Sequence, residues 1–129
     1  MWHNFIQNFE SLSAKRIDRN VVPVVAADAF LTTRSQQIIA LATRHAIPTV
    51  YFLREFADAG GLISYGGHIT EAYRLAGGYA GRILKGEKPT ELPVQQVTRV
   101  ELVINLKTAK ALGISVPLSL LGRADEVID

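Results

Sequence analysis

The sequence contains no cysteine, which excludes disulfides and zinc–thiolate sites for its 129 residues. It also lacks any apolar run near the roughly 18 residues of a membrane-spanning helix. Its 14 basic and 12 acidic residues give a net charge of +2, and the bases are scattered. Nucleic-acid binding needs a basic stripe and is therefore not expected. With 48% hydrophobic residues, the composition indicates one ordinary globular domain.

Short motifs for catalysis, metal binding and nucleotide binding are missing as well. The glycine pairs Gly66-Gly67 and Gly77-Gly78 fit neither the dinucleotide-binding pattern nor the phosphate-binding loop. No serine lies in a nucleophile-elbow sequence, and the three histidines lack the spacing of metal ligands. The sequence therefore predicts no catalytic residue, no metal site and no cofactor. The N-terminal segment does not have the pattern of a secretory signal peptide.

Hydrophobic periodicity predicts alternating strands and helices over residues 1–86. β-Branched runs at 21–28, 47–53 and 62–67 are typical of buried strands, and helical patterns precede, separate and follow them. The last helix begins near Ile69 and ends near Gly86, and its small residues are expected to let it approach a sheet closely. The alternation predicts a three-layer α/β fold on a parallel sheet with right-handed βαβ crossovers.

After residue 86 the pattern changes. A polar segment with two prolines, at 87–97, predicts a stiff strap, because proline is not tolerated inside a helix. Residues 98–105 alternate in hydrophobicity as a half-covered strand does, and two helical segments follow up to residue 129. Because the sheet already has its strands, we expect residues 98–129 to reach another part of the molecule.

Polar and aromatic residues follow each of the first three predicted strands. In open parallel sheets, ligands bind at the carboxyl ends of the strands. The sequence therefore predicts a ligand-binding rim, with helix caps and turns as the alternative explanation. The rim residues are Asp28, Arg54, Glu55, Ser64, Tyr65 and Gly66. His68, just beyond the third strand, is expected to be an ordinary surface histidine.

A resemblance to a known family lies in the segments REFADAGGLISYG, YRLAGGYAGRILKGEKPTELPV and VELVINLKTAKALGISVP. They resemble the C-terminal half of substrate-binding proteins of bacterial ABC transporters, whose better-known members bind aromatic amino acids. The resemblance implies a type I periplasmic-binding fold, in which two α/β lobes close on a small molecule. It implies that residues 1–86 form one lobe, 87–97 a hinge strap, and 98–129 a return to the other lobe.

The resemblance also implies a non-enzymatic solute-binding component that meets a membrane permease. Ala29 follows Asp28 where amino-acid binders of the family often carry asparagine, which weakens the implication of an amino-acid ligand. Family members are longer, so the sequence is expected to be a fragment or a shortened gene product. Two alternatives stay open: a free-standing cytoplasmic sensor or partner-binding domain, and a truncated product without function. The family is periplasmic, whereas the chain as written would stay in the cytoplasm.

The strand at 98–105 carries an expectation about assembly. If its partner lies in another lobe, its backbone groups and its apolar face are left uncovered. We therefore expect a homodimer through this strand. The alternative is a monomer in which the strand folds back on the edge of its own sheet.

Overall fold

The computed structural model describes residues 2–14, 22–95 and 99–129, which form a single five-stranded sheet and its helices. The strands are β1 (Val24–Val25), β2 (Val50–Tyr51), β3 (Ile63–Gly67), β4 (Val100–Asn105) and β5 (Glu126–Ile128). The helices are α1 (Trp2–Ala14), α2 (Ala29–Thr32), α3 (Ser35–Arg44), α4 (Arg54–Asp58), α5 (Ile69–Leu84), α6 (Leu106–Ala111) and α7 (Leu118–Leu121). A 3-10 turn at Pro89–Glu91 lies in the proline-rich strap.

The strands lie in the order β1-β2-β3-β4-β5. The first three are parallel, with helices between them along the chain, which confirms the predicted α/β fold. β4 is antiparallel to β3, and β5 is parallel to β4. The sheet is thus mostly parallel rather than wholly parallel. After α5 and the strap, the chain enters β4 beside the carboxyl end of β3 and runs in the opposite direction.

β4 corrects the expectation that residues 98–105 form an unpaired strand. It pairs with β3 from Val100 opposite Gly67 to Ile104 opposite Ile63, and its other edge pairs with β5. Val103 and Ile104 have no solvent-exposed surface, so the sheet's core holds this strand by hydrophobic burial. The reason for a dimer through β4 is thereby removed. The division of the chain at 87–97 stays a prediction.

The C-terminal end also differs from the helix expected there. α7 is short, and residues 126–128 form β5 instead. Asp125 fixes this strand beside β4, since its carboxylate accepts a hydrogen bond from the Leu102 amide at 2.8 Å. The Asp125 amide in turn donates to the Leu102 carbonyl at 2.9 Å. β-Branched Val127 and Ile128 suit a strand better than a helix.

The core fixes the end of β2 and the start of α4. Tyr51 in β2 and Phe56 in α4 are each 1% exposed and stack with ring centroids 4.8 Å apart. Ile38 and Ile39 of α3 join the same cluster. Burial raises the pKa of Tyr51 to about 12, with the Thr49 hydroxyl acting in the opposite direction. The loop after β2 therefore leaves the sheet from a rigid, apolar base.

α5 does not pack closely on the sheet, contrary to expectation. None of its residues is buried among the described parts of the chain, and Tyr73 is 70% exposed. A Cβ atom built on Gly77, Gly78 or Gly81 would find no described atom within 4 Å. The helix is instead braced against the strap, because the Tyr79 hydroxyl donates to the Pro93 carbonyl. No described helix is both long and apolar enough to cross a membrane.

Candidate functional site

Two adjoining clefts open where β2 and β3 end and α5 begins. The larger has a volume of about 570 Å³, and the smaller has a volume of about 40 Å³. The larger cleft is lined by Phe52, Tyr65, Gly66, Gly67, His68, Ile69, Ala72 and Val100. The smaller shares five of these and adds Leu53, Arg54, Glu55, Ser64, Thr70 and Glu101. Both lie at the carboxyl ends of parallel strands, where α/β sheets bind their ligands.

The floor shared by both clefts requires glycine at position 66. A Cβ atom on Gly66 would lie 2.1 Å from the Phe52 carbonyl oxygen, closer than any side chain tolerates. The Phe52 amide is itself held by the Val25 carbonyl at 2.9 Å. The loop after β2 is therefore pressed against β3, and this close approach presents the Phe52 ring to the cleft.

Four large apolar side chains are exposed around the larger cleft. Phe52 is 42%, Tyr65 59%, Ile69 39% and Val100 45% exposed. Single exposed apolar residues are ordinary, but a group of them lining one concave surface is typical of a binding site. This wall can contact the apolar body of a small molecule.

His68 lines both clefts. It is the N-cap residue of α5, and its carbonyl accepts from the amides of Glu71 and Ala72 at 3.1 and 3.3 Å. Its ring Nδ1 atom is buried and has no hydrogen-bond partner among the described residues. The residue is thus half-buried in both clefts, unlike the surface histidine that we expected. A buried polar atom without a partner is costly unless another group satisfies it.

Arg54 is held by three carboxylates. Its Nη2 atom donates to Glu126 at 2.8 Å, Nη1 to Glu101 at 3.1 Å, and Nε to Asp58 at 3.2 Å. The hydrogen bond to Glu126 raises the pKa of the guanidinium most, and Asp58, Glu126 and Glu101 add charge attraction against the effect of burial. Arg54 therefore joins α4 to β4 and β5, and its role in ligand binding stays a prediction.

The structure brings five of the six predicted rim residues to the clefts. Arg54, Glu55 and Ser64 line the smaller one, Tyr65 the larger, and Gly66 both. Asp28 lies outside both linings and caps α2, with its Oδ1 atom accepting from the Leu31 amide at 3.0 Å. Contact of any of the six with a ligand stays a prediction.

Sequence reasoning missed the lining residues that begin elements rather than end strands. Val100 and Glu101 belong to the first residues of β4, and Ile69 and Ala72 to the first turn of α5. The sequence did carry a signal for Glu101, because it is an acidic residue in a strand whose other positions are mostly apolar. Within the described ranges, no group of three acidic or histidine side chains can hold a metal ion.

The chain thus forms an α/β lobe with a mostly parallel sheet and an apolar cleft at the carboxyl ends of its strands. The sequence profile of the ABC transporter substrate binding proteins matches residues 7–128. The chain therefore belongs to this family. No curated protein matches it closely enough to be counted.

Three solved structures share the fold at 24% sequence identity. A conserved domain protein from Vibrio cholerae superimposes over 95% of this chain with a TM-score of 0.83. An ABC domain in complex with L-Trp from Streptococcus pneumonia covers 95% with a TM-score of 0.78. A ligand-free, open substrate-binding protein with adhesive properties from Clostridium difficile covers 99% with a TM-score of 0.63. The chain spans 40%, 42% and 41% of these three proteins, respectively.

Proposed function

We propose that this chain is a solute-binding lobe that holds a small molecule in the larger cleft without transforming it. The observation that carries the proposal is the group of four exposed apolar side chains on one concave wall, beside the Nδ1 atom of His68, which has no hydrogen-bond partner in the described part of the chain. Membership of the substrate-binding family supports the same role.

The proposed ligand is a small molecule with an apolar body, such as an amino acid. The streptococcal protein of the same fold was crystallised with L-Trp, which supports a ligand of that size. Phe52 and Tyr65 offer aromatic surface to such a body. In this proposal Gly66 lies against the ligand, while Ser64 and Glu55 line the smaller cleft beside it.

The family also supports an importer context for the lobe. We propose a periplasmic location, a membrane permease as partner, and closure of the cleft by a second lobe. The residues of this lobe form one wall of the binding site, and a ligand enclosed from one side only loses much of the contact that closure provides. A homodimer through β4 is not part of this proposal, because β4 is already paired on both edges. A free-standing sensor would use the same cleft, whereas a product without function would bind nothing.

Titration of the 129-residue chain with L-tryptophan, L-leucine and other amino acids, followed by amide chemical shifts in NMR, tests the proposal. We expect a dissociation constant around 1 mM or weaker, because one wall supplies only part of the contact. Shift changes should concentrate at residues 52–55 and 64–69.

A pair of tyrosine variants makes the test specific. Tyr65→Ser should weaken binding at least fivefold, because it removes aromatic surface from the cleft. Tyr73→Ser is the matched control, since Tyr73 is similarly exposed but lies outside both linings. Equal effects of the two substitutions, or no saturable shift with any solute, would contradict the proposal.

A further inference from the structure

The charge around the clefts is strongly one-sided. Arg54 is the one Lys or Arg side chain among the described residues that line either cleft. Its three carboxylate partners are Asp58, Glu101 and Glu126, and Glu55 of the same helix lines the smaller cleft as well. The charged lining residues Arg54, Glu55 and Glu101 give a formal charge of −1, and Asp58 and Glu126, which contact Arg54 from outside the linings, add two further negative charges.

Arg54 is not free to recruit an anionic ligand. Each of its three nitrogen atoms already donates to a carboxylate, and these three carboxylates more than balance its single positive charge. The Glu101 side chain is only 12% exposed, so its charge is weakly screened where it faces the cleft. An incoming anion is repelled, and an incoming cation is attracted.

One effect acts in the opposite direction. The N-terminus of α5 points into the clefts at Ile69 and Thr70 and carries a partial positive charge of about half a unit. Glu71 in the first turn of α5 offsets it. Arg99 precedes Val100 but belongs to neither lining. The net negative charge of the lining, with Asp58 and Glu126 behind it, therefore outweighs the helix dipole.

From this balance, and resting on the function proposed above, we infer that the cleft selects small molecules with an apolar ring and a cationic amine over those that carry only a carboxylate. The ring lies on Phe52 and Tyr65, and the ammonium group lies between His68 and Glu101. The Glu101 carboxylate supplies the charge opposite to that of the ammonium group, and the His68 imidazole lies beside it.

Three probes with the same phenylethyl body test the inference: phenethylamine, 2-phenylethanol and 3-phenylpropionate. Each is titrated into the 129-residue chain at neutral pH and low salt, with amide shifts of residues 52–55 and 64–69 as the readout. Phenethylamine should bind at least fivefold more tightly than 3-phenylpropionate, with 2-phenylethanol between them. High salt should narrow the difference, because the charges are partly exposed.

Two variants locate the source of the preference. Glu101→Gln keeps an acceptor for Arg54 but removes the charge at the cleft, and it should reduce the preference for phenethylamine at least twofold. Asp58→Asn removes a carboxylate of the same Arg54 cluster that lies outside both linings, and it should have a smaller effect. Glu55 is exposed, so the fold should tolerate Glu55→Gln, and this variant gives a second test of charge at the smaller cleft.

The outcomes separate this inference from the function on which it rests. Tighter binding of 3-phenylpropionate at the cleft residues would overturn the charge preference and leave the solute-binding role intact. Failure of phenethylamine to shift the cleft residues overturns the inference too, and the amino-acid titration then decides the function independently. An equal loss of preference in Glu101→Gln and Asp58→Asn would contradict the placement of the ammonium group at Glu101.

Discussion

At the scale of single residues, the cleft depends on a position that accepts only glycine. Gly66 is such a position, because the Phe52 carbonyl occupies the space of a Cβ atom at 2.1 Å. The glycines of α5 are different, since Gly77 has no described atom within 4 Å of its Cβ direction. The same residue type therefore serves close packing at one site and leaves an open helix face at the other.

Alanine substitution at the two glycines should have opposite effects. Gly66→Ala should lower the free energy of unfolding by about 1–3 kcal/mol, because the loop after β2 must move. Gly77→Ala should raise it by about 0.5–1 kcal/mol, because alanine favours the helix and meets no obstacle. Urea denaturation of both variants measures the difference. Similar stabilities for the two would show that the loop does not press on β3.

Tyr51 gives the protein a stability loss at high pH. Burial raises its pKa from 10 to about 12, so the folded state holds the phenol proton more tightly than the unfolded state. This stabilisation is fully present below pH 10 and is lost as the pH rises through 12. The rise of the Tyr51 pKa from 10 to about 12 corresponds to about 2.7 kcal/mol of unfolding free energy.

The measurement is urea denaturation at several pH values from 9 to 12, with Tyr51→Phe as the control. The variant cannot ionise at this position, so its unfolding free energy should fall less steeply over that window than that of the unaltered chain. Parallel curves for the two proteins would refute the assignment of the loss to Tyr51.

At the scale of elements, Arg54 ties α4 to β4 and β5. Arg54→Gln should lower the unfolding free energy by about 1–2 kcal/mol, since it leaves the largely covered Glu101 carboxylate without its cation. Asp58→Asn should cost less than about 0.5 kcal/mol, because that side chain is 45% exposed. Chemical denaturation measures both, and an equal cost would contradict a structural role for the Arg54–Glu101 pair.

Periodicity predicted the elements better than their partners. The helix at Ile69–Leu84 and the strand ending at Asn105 lie where the sequence pattern placed them. Yet β4 packs into the sheet and α5 does not, the reverse of the expectation. Alternation shows which residues of a segment are apolar, but not which surface covers them. Ile104 and Tyr73 are both large and apolar, and only the tertiary structure distinguishes the buried one from the exposed one.

At the scale of the whole molecule, the sheet edge explains which part of the site was predictable. Ser64, Tyr65 and Gly66 follow from the rule that ligands bind where parallel strands end. Glu101 and Val100 come from an antiparallel strand that starts at this edge, which the rule does not cover. Asp28 also follows a parallel strand in the sequence, but it lies outside both clefts and caps α2. The part of the cleft formed by β3 was therefore predictable from the sequence, whereas the part formed by β4 depends on the topology of the sheet.

We propose that this lobe binds a small molecule on the wall formed by Phe52 and Tyr65. Intermolecular NOEs between the best-binding solute and the isotope-labelled 129-residue chain test it most directly. Binding on this wall should give NOEs from the solute's apolar protons to the rings of Phe52 and Tyr65 and to the methyl groups of Ile69 and Val100. NOEs confined to the exposed face of α5 around Tyr73 and Leu84, with none at the cleft, would contradict it.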